Sequence, residues 1–210
     1  MIDNYEVLPN GLIHQKEIVN KIKDYDKEYV DTRYNNYGEK GMQMAYLRLG
    51  YLIGAIQEPF SRVLDVGYGN GDFLKACMGV DSVNAYGNDI SGYPIPKGAT
   101  FVEDITSMEF DVVCFFDSLE HFEDISFVKD LKTKYVYISL PWCHNFSDEW
   151  FKNWKHRRED EHLWHFNHLS LENFMSGMGY DLVTGNNVED AIRKPVDNHP
   201  NILTAIFEKV

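Results

Sequence analysis

One segment limits the fold of this chain more than any other: Val63-Leu64-Asp65-Val66-Gly67-Tyr68-Gly69-Asn70-Gly71-Asp72-Phe73-Leu74. A short apolar run enters a loop with glycine at alternate positions, and a helix-forming stretch follows. Glycines in such a loop permit positive φ and let the backbone approach a ligand closely. The helix start behind them offers unpaired N–H groups to negative or polar ligand atoms. The spacing separates two cofactor classes. Dinucleotide sites use GxGxxG, in which the helix meets a pyrophosphate; here the pattern is GxGxG, with Asp65 preceding it inside the strand.

The rest of the chain gives this loop its setting. Apolar runs at 62–67, 83–89, 99–103, 110–116, 135–140, 180–184 and 202–209 each read as a strand. Several are apolar on both faces, as expected of strands covered by helices on both sides. Helices are predicted over 71–79 and 118–132, with another capped by Ser170. Strands alternating with helices imply an α/β, doubly wound, mostly parallel sheet of seven strands. Residues 1–60 look mainly helical, with apolar spacing over Lys16–Tyr29 and from about Gly41 to Ile56. They are expected to form an N-terminal helical cap over a core of residues 61–210. That core carries a Trp- and His-rich insertion at about 141–169.

Carboxylates recur at the predicted strand ends. Asp89 can accept both hydroxyls of a ribose, a role acidic residues also play in nicotinamide sites. Asp104, with Ile105 beside it, can accept from an adenine amino group. The plainer alternatives are a turn residue before Ser91-Gly92 and an N-cap ahead of Thr106. Loop and carboxylates in this order resemble the class I S-adenosylmethionine (SAM) dependent methyltransferases, whose first motif is an acidic residue followed by xGxGxG.

The resemblance implies a Rossmann-like fold and SAM as cofactor, with S-adenosylhomocysteine as product. It assigns cofactor contacts to Asp65, Gly67, Gly69, Asn70, Gly71, Asp89 and Asp104, and places Ile90 and Ile105 alongside them. The segment Asp117-Ser118-Leu119-Glu120-His121 resembles the family's stretch after the fourth strand. Asp117, Ser118 and Leu119 would then border the cofactor, while Asp117 and Glu120 also fit a capping box. By analogy with caps that close over SAM, Tyr34 and Tyr37 would cover it and Arg48 would meet its carboxylate.

The fifth strand ends in Pro141-Trp142-Cys143-His144, at the edge where ligands of open α/β sheets bind. Methyl transfer needs an aligned nucleophile and, for a hydroxyl or protonated amine, a proton acceptor. His144, His162 and His165 are the candidates for that catalytic role. His162, His165 and His168 recur every third residue, with Cys143, His144 and Glu161 as possible co-ligands, which makes a metal site the sharper alternative; neither HExxH nor paired CxxC occurs, and no residue is assigned to a metal.

The net charge of −13 argues against nucleic acid and anionic membrane surfaces as partners. Lys155-His156-Arg157-Arg158 is a local exception that reads as a solvated face. Cys77, Cys114 and Cys143 show no paired spacing and read as reduced thiols, so a cytoplasmic location is expected. The aromatic insertion and the acidic surface favour a small-molecule or sugar-like acceptor. The competing readings are a non-catalytic binding or scaffold protein of the same fold, and a nicotinamide-dependent oxidoreductase.

Overall fold

The computed structural model describes residues 3–20, 26, 28, 30–32, 38–195 and 198–210. Ten strands are present among these residues: β1 (Tyr5–Val7), β2 (Ile13–Gln15), β3 (Arg62–Val66), β4 (Asn84–Asn88), β5 (Thr100–Phe101), β6 (Phe110–Phe116), β7 (Thr133–Pro141), β8 (Trp164–His165), β9 (Tyr180–Asn186) and β10 (Ile202–Lys209). Seven of them form the main sheet in the order β5-β4-β3-β6-β7-β10-β9. The first five run parallel, and β10 is antiparallel to both of its neighbours. This is the α/β, doubly wound, Rossmann-like sheet that the strand pattern predicts.

Alternation along the strands divides two cores. Val63, Val112, Tyr135 and Ile206 face one layer, made by the helices Glu39–Ile56 and Asp72–Met78 through Leu49, Leu52, Phe73 and Leu74. Leu64, Val113, Val136 and Phe207 face the other, against Leu171, Phe174 and Met175 of the helix His168–Gly177. The chain leaves β3 toward β4 and β5 and then returns to β6 on the opposite side. The crevice beyond the carboxyl ends of β3 and β6 is therefore the switch point at which such sheets bind ligands.

Four local expectations give way. The N-terminal segment begins with strands instead of helix: β1 pairs with β2, and β2 pairs with β8 inside the aromatic insertion. Over Lys16–Tyr29, residues 16–20 are not helical, and most of the remainder lies outside the described residues. No long helix fills 118–132, because Asp124 accepts from the Ser126 N–H at 2.7 Å and from its hydroxyl at 2.9 Å. That local turn competes with helix propagation and leaves two 3-10 turns, Leu119–His121 and Ser126–Asp130. The helix expected to start at Ser170 is capped by Asn167, with Ser170 returning the hydrogen bond as its third residue.

The insertion is pinned to the body at its ends. The Cys143 N–H donates to the Phe166 carbonyl, and the Leu163 N–H to the Glu120 carbonyl, each at 2.8 Å. The Trp164 indole donates to the Phe122 carbonyl at 2.7 Å. Residues 162–165 are thereby held against the turn that follows β6. No helix among the described residues is long and apolar enough to cross a membrane.

Candidate active site

A cavity of about 1530 Å³ opens at the switch point, between the glycine loop and the insertion. Ordinary ligand pockets hold roughly 300–1,000 Å³, so this one has room for two ligands side by side. Its first half is built by β3 and the loop behind it. Gly67, Gly69 and Gly71 all take positive φ, at 81°, 55° and 73°. A Cβ on Gly67 would come within 2.8 Å of the Ser118 Cβ, so only glycine brings the loop this close to β6. Asp89 accepts from the Gly69 N–H at 2.8 Å and from the Ser91 N–H at 2.7 Å, which fixes the loop's curvature.

Asp65 is buried beneath this loop and borders the cavity, and its Oδ1 has no hydrogen-bond partner among the described residues. Burial pushes its carboxyl up to about 7; Arg48 opposes the rise and Asp89 adds to it. The Ser118 hydroxyl is a second buried polar atom on the cavity without a partner. Unpaired buried groups are costly, and both of these are placed where a polar ligand would satisfy them.

The predicted cofactor residues divide between cavity and body. Asp65, Gly67, Gly69, Asn70, Asp89, Ile90, Asp117 and Ser118 line the cavity. The other four do not. Gly71 packs under Pro96, where a Cβ would meet the ring at 2.4 Å. Asp104 is exposed and folds back onto Thr106, accepting from its N–H at 2.9 Å and its hydroxyl at 2.7 Å. Ile105 packs onto the core, and Leu119 is fully buried in it. The capping box expected of Asp117 and Glu120 is also absent, since Asp117 takes φ 50° and its carboxylate is gripped by both terminal nitrogens of Arg193.

That grip belongs to a four-charge cluster built around the buried Glu189. Arg48 binds Glu189 through Nε at 2.7 Å and Nη2 at 3.1 Å. Arg193 Nε lies 3.2 Å from the same carboxylate. Burial raises the Glu189 carboxyl, but Arg48 and Arg193 outweigh it and hold the group below its ordinary value. Arg48 borders the cavity as expected, with Glu189 already on its guanidinium. Tyr34 and Tyr37 lie outside the described residues.

Of the three histidines expected at the acceptor, only His162 reaches the cavity. His144 turns into a separate hollow, its Nε2 2.7 Å from the Pro200 carbonyl and its ring stacked on Phe146. His165 is enclosed by Tyr5, Phe151 and Trp154, and burial drives it down to about 3. Two other histidines take their places. His121 meets the His162 ring edge to face at 4.6 Å, and His156 bonds Asn201 Oδ1 at 2.8 Å; both line the cavity. Burial lowers each of these two to about 4. Lys155 and Arg158, read from sequence as a solvated face, line it as well. The Trp/His composition marked this stretch, but no periodicity indicated which rings would point inward.

A sequence model of the methyltransferase domain family matches residues 34–184. The chain therefore belongs to that family, the SAM-dependent class I enzymes. No curated protein matches it by sequence. Among solved structures, a chain of the complex between the Haloferax volcanii Trm112 methyltransferase activator and its methyltransferase is similar over 90% of this chain and 99% of that one, with TM-score 0.63 and 15% identity. Magnesium protoporphyrin IX methyltransferase from Synechocystis PCC 6803, solved with S-adenosylhomocysteine, aligns over 89% and 96%, with TM-score 0.59 and 14% identity. A methyltransferase from Clostridium acetobutylicum aligns over 87% and 97%, with TM-score 0.59 and 10% identity. These likenesses show that the fold is shared.

Proposed function

We propose that the protein methylates a small-molecule or sugar-like acceptor, with SAM held by the glycine-loop half of the cavity and the acceptor by the histidine-lined half. The observation that carries this reading is the single cavity of about 1530 Å³ that both halves share. Within it, Asp65 and Ser118 would satisfy polar groups of the methionine portion, and Asp89 the ribose. Ile90, 84% exposed on the cavity rim, offers an apolar surface for a base. When bound, SAM supplies an electrophilic methyl group: an acceptor lone pair bonds to its carbon as the carbon–sulfur bond breaks, the bonding pair passing to sulfur.

The chain's own task is alignment and exclusion of water. The pinned insertion supplies a wall, and His162, His121 and His156 supply nitrogen atoms on the acceptor side. Net charge and the absence of any long basic run support a small acceptor over a nucleic acid.

Calorimetric titration with SAM, S-adenosylhomocysteine and NAD in parallel tests the cofactor half. Both adenosyl ligands are expected to bind and NAD to give no heat. Replacing Gly69 with leucine is expected to abolish binding, because a side chain at φ 55° would be strained and would fill the loop's approach to the ligand. NAD binding, or unchanged SAM binding by that variant, would overturn the assignment of the loop. A screen of hydroxyl and amine metabolites against RNA and protein substrates then decides the acceptor class.

A further inference from the structure

Glu120, His121 and His162 converge beside the acceptor end of the cavity, which the two histidines line, with one potential ligand atom from each lying within 4.8 Å of the others. Glu120 and His121 lie on the same 3-10 turn, with His121 Nε2 3.9 Å from Glu120 Oε1. His162 comes from 41 positions farther along and is brought in by the hydrogen bond from the Leu163 N–H to the Glu120 carbonyl.

The state of the carboxylate calls for an explanation. Glu120 is 1% exposed, yet neither of its oxygens has a hydrogen-bond partner among the described residues. A buried acid without a partner is a liability unless something binds it. Among the described residues no lysine or arginine pairs with it, the nearby Arg158 being held by Glu161 at 2.8 Å. Of the two facing rings, His162 is buried and His121 half-buried, and imidazole nitrogen is a common ligand of such ions. A ring nitrogen of His121 donates to the Glu161 backbone carbonyl. That second bond sets the tautomer, as it does in metal-ligating histidines.

We propose that Glu120, His121 and His162 bind a divalent first-row metal ion, such as zinc, manganese or cobalt, with its remaining coordination positions open to the cavity. Two imidazoles and one carboxylate suit such ions, and three protein ligands with open positions are the pattern of catalytic sites. Ligands on an ion with bonds of about 2.1 Å stand about 3.4 Å apart, so the three atoms, already within 4.8 Å of one another, need to close by about an ångström. An ion held there would lower the pH at which a coordinated hydroxyl acceptor gives up its proton to water. This role rests on the reading of the cavity given above, whereas ion binding itself does not. Sequence patterns gave no warning of the site because its ligands come from a turn and an insertion that only the fold brings together.

The test uses untagged protein stripped with chelator and titrated with zinc and with cobalt, by calorimetry and cobalt absorption respectively. Wild type is expected to bind one ion per chain and to show cobalt d–d bands. His162→Ala and Glu120→Gln are expected to bind at least about tenfold more weakly, and His199→Ala, a surface control, to bind as wild type does. Binding of S-adenosylhomocysteine and apo-protein melting of each variant report whether it is folded. No ion bound by wild type, or equal binding by folded Glu120→Gln and His162→Ala, overturns the proposal. Ion binding without S-adenosylhomocysteine binding keeps the metal site and removes its role in methyl transfer.

Discussion

A carboxyl group held near 7 is a sensor of whatever binds beside it. Asp65 owes that value chiefly to burial, and a ligand ammonium next to it favours the ionised form and expels its proton. Affinity for S-adenosylhomocysteine is therefore expected to rise from pH 6 to pH 8, most steeply below 7, where each pH unit is worth up to about tenfold. Asp65→Asn should flatten the profile; a flat wild-type profile would mean that no cation approaches Asp65. His165 responds in the opposite direction. Its folded value of about 3 lies below its ordinary 6.5, so the unfolded chain takes up a proton that the folded protein refuses. Stability that is complete above about pH 6.5 is lost as pH falls toward 3, at up to about 1.4 kcal/mol per pH unit for this one group. His165→Phe keeps an aromatic ring among Tyr5, Phe151 and Trp154 and is expected to melt less steeply with acid. An unchanged acid slope would show that His165 titrates normally.

Elements formed by their own periodicity were legible, and elements formed by partners were not. The strands 62–66, 84–88, 110–116 and 202–209 lie where their apolar runs place them, because each runs through the interior of the seven-stranded sheet with a neighbour on both sides. Strands β1 and β2 have three residues apiece and no such run; they exist by pairing with each other and, through β2, with β8, some 150 residues away. The site divides in the same way. The glycine loop and Asp89 could be read from spacing, while Glu120, His121 and His162 meet only through the hydrogen bond at Leu163. Asp160 holds the N-terminal element in place, accepting from Gln15 Nε2 at 2.6 Å, the Val19 N–H at 2.9 Å and both nitrogens of Asn20 at 2.9 and 2.8 Å. Hydrogen bonds to charged groups are individually worth about 1.5–3 kcal/mol, and Asp160→Ala is expected to cost about 2–4 kcal/mol in all. Hydrogen exchange should then accelerate over residues 5–20 while β3 and β6 keep their protection. Uniform loss across the main sheet would show instead that the N-terminal strands unfold only with the whole core.

At the scale of the molecule, the cavity lies between two bodies, which the hydrogen bonds at Cys143, Leu163 and Trp164 also join. The glycine loop belongs to the β3–β4 side, whereas His156, Arg158 and His162 belong to the insertion, which is tied through β8 to the N-terminal strands. The charged cluster of Arg48, Glu189, Arg193 and Asp117 closes a third side and joins the Glu39–Ile56 helix to the segment before β10. A ligand that touches the loop and the far walls together must be released before either body can unfold. Its binding energy therefore appears in the stability of the entire chain. At a hundredfold excess over its dissociation constant, such a ligand adds about 2.7 kcal/mol. A chain of this size melts about 2–4 °C higher for each kcal/mol, so S-adenosylhomocysteine is expected to raise the melting temperature by about 5–10 °C in a single transition. NAD at equal concentration should leave it unchanged. Two transitions, of which only the later one responds to ligand, would mean that the insertion and N-terminal strands melt first and take no part in holding the cofactor; the acceptor half would then be a wall that forms independently of the bound donor.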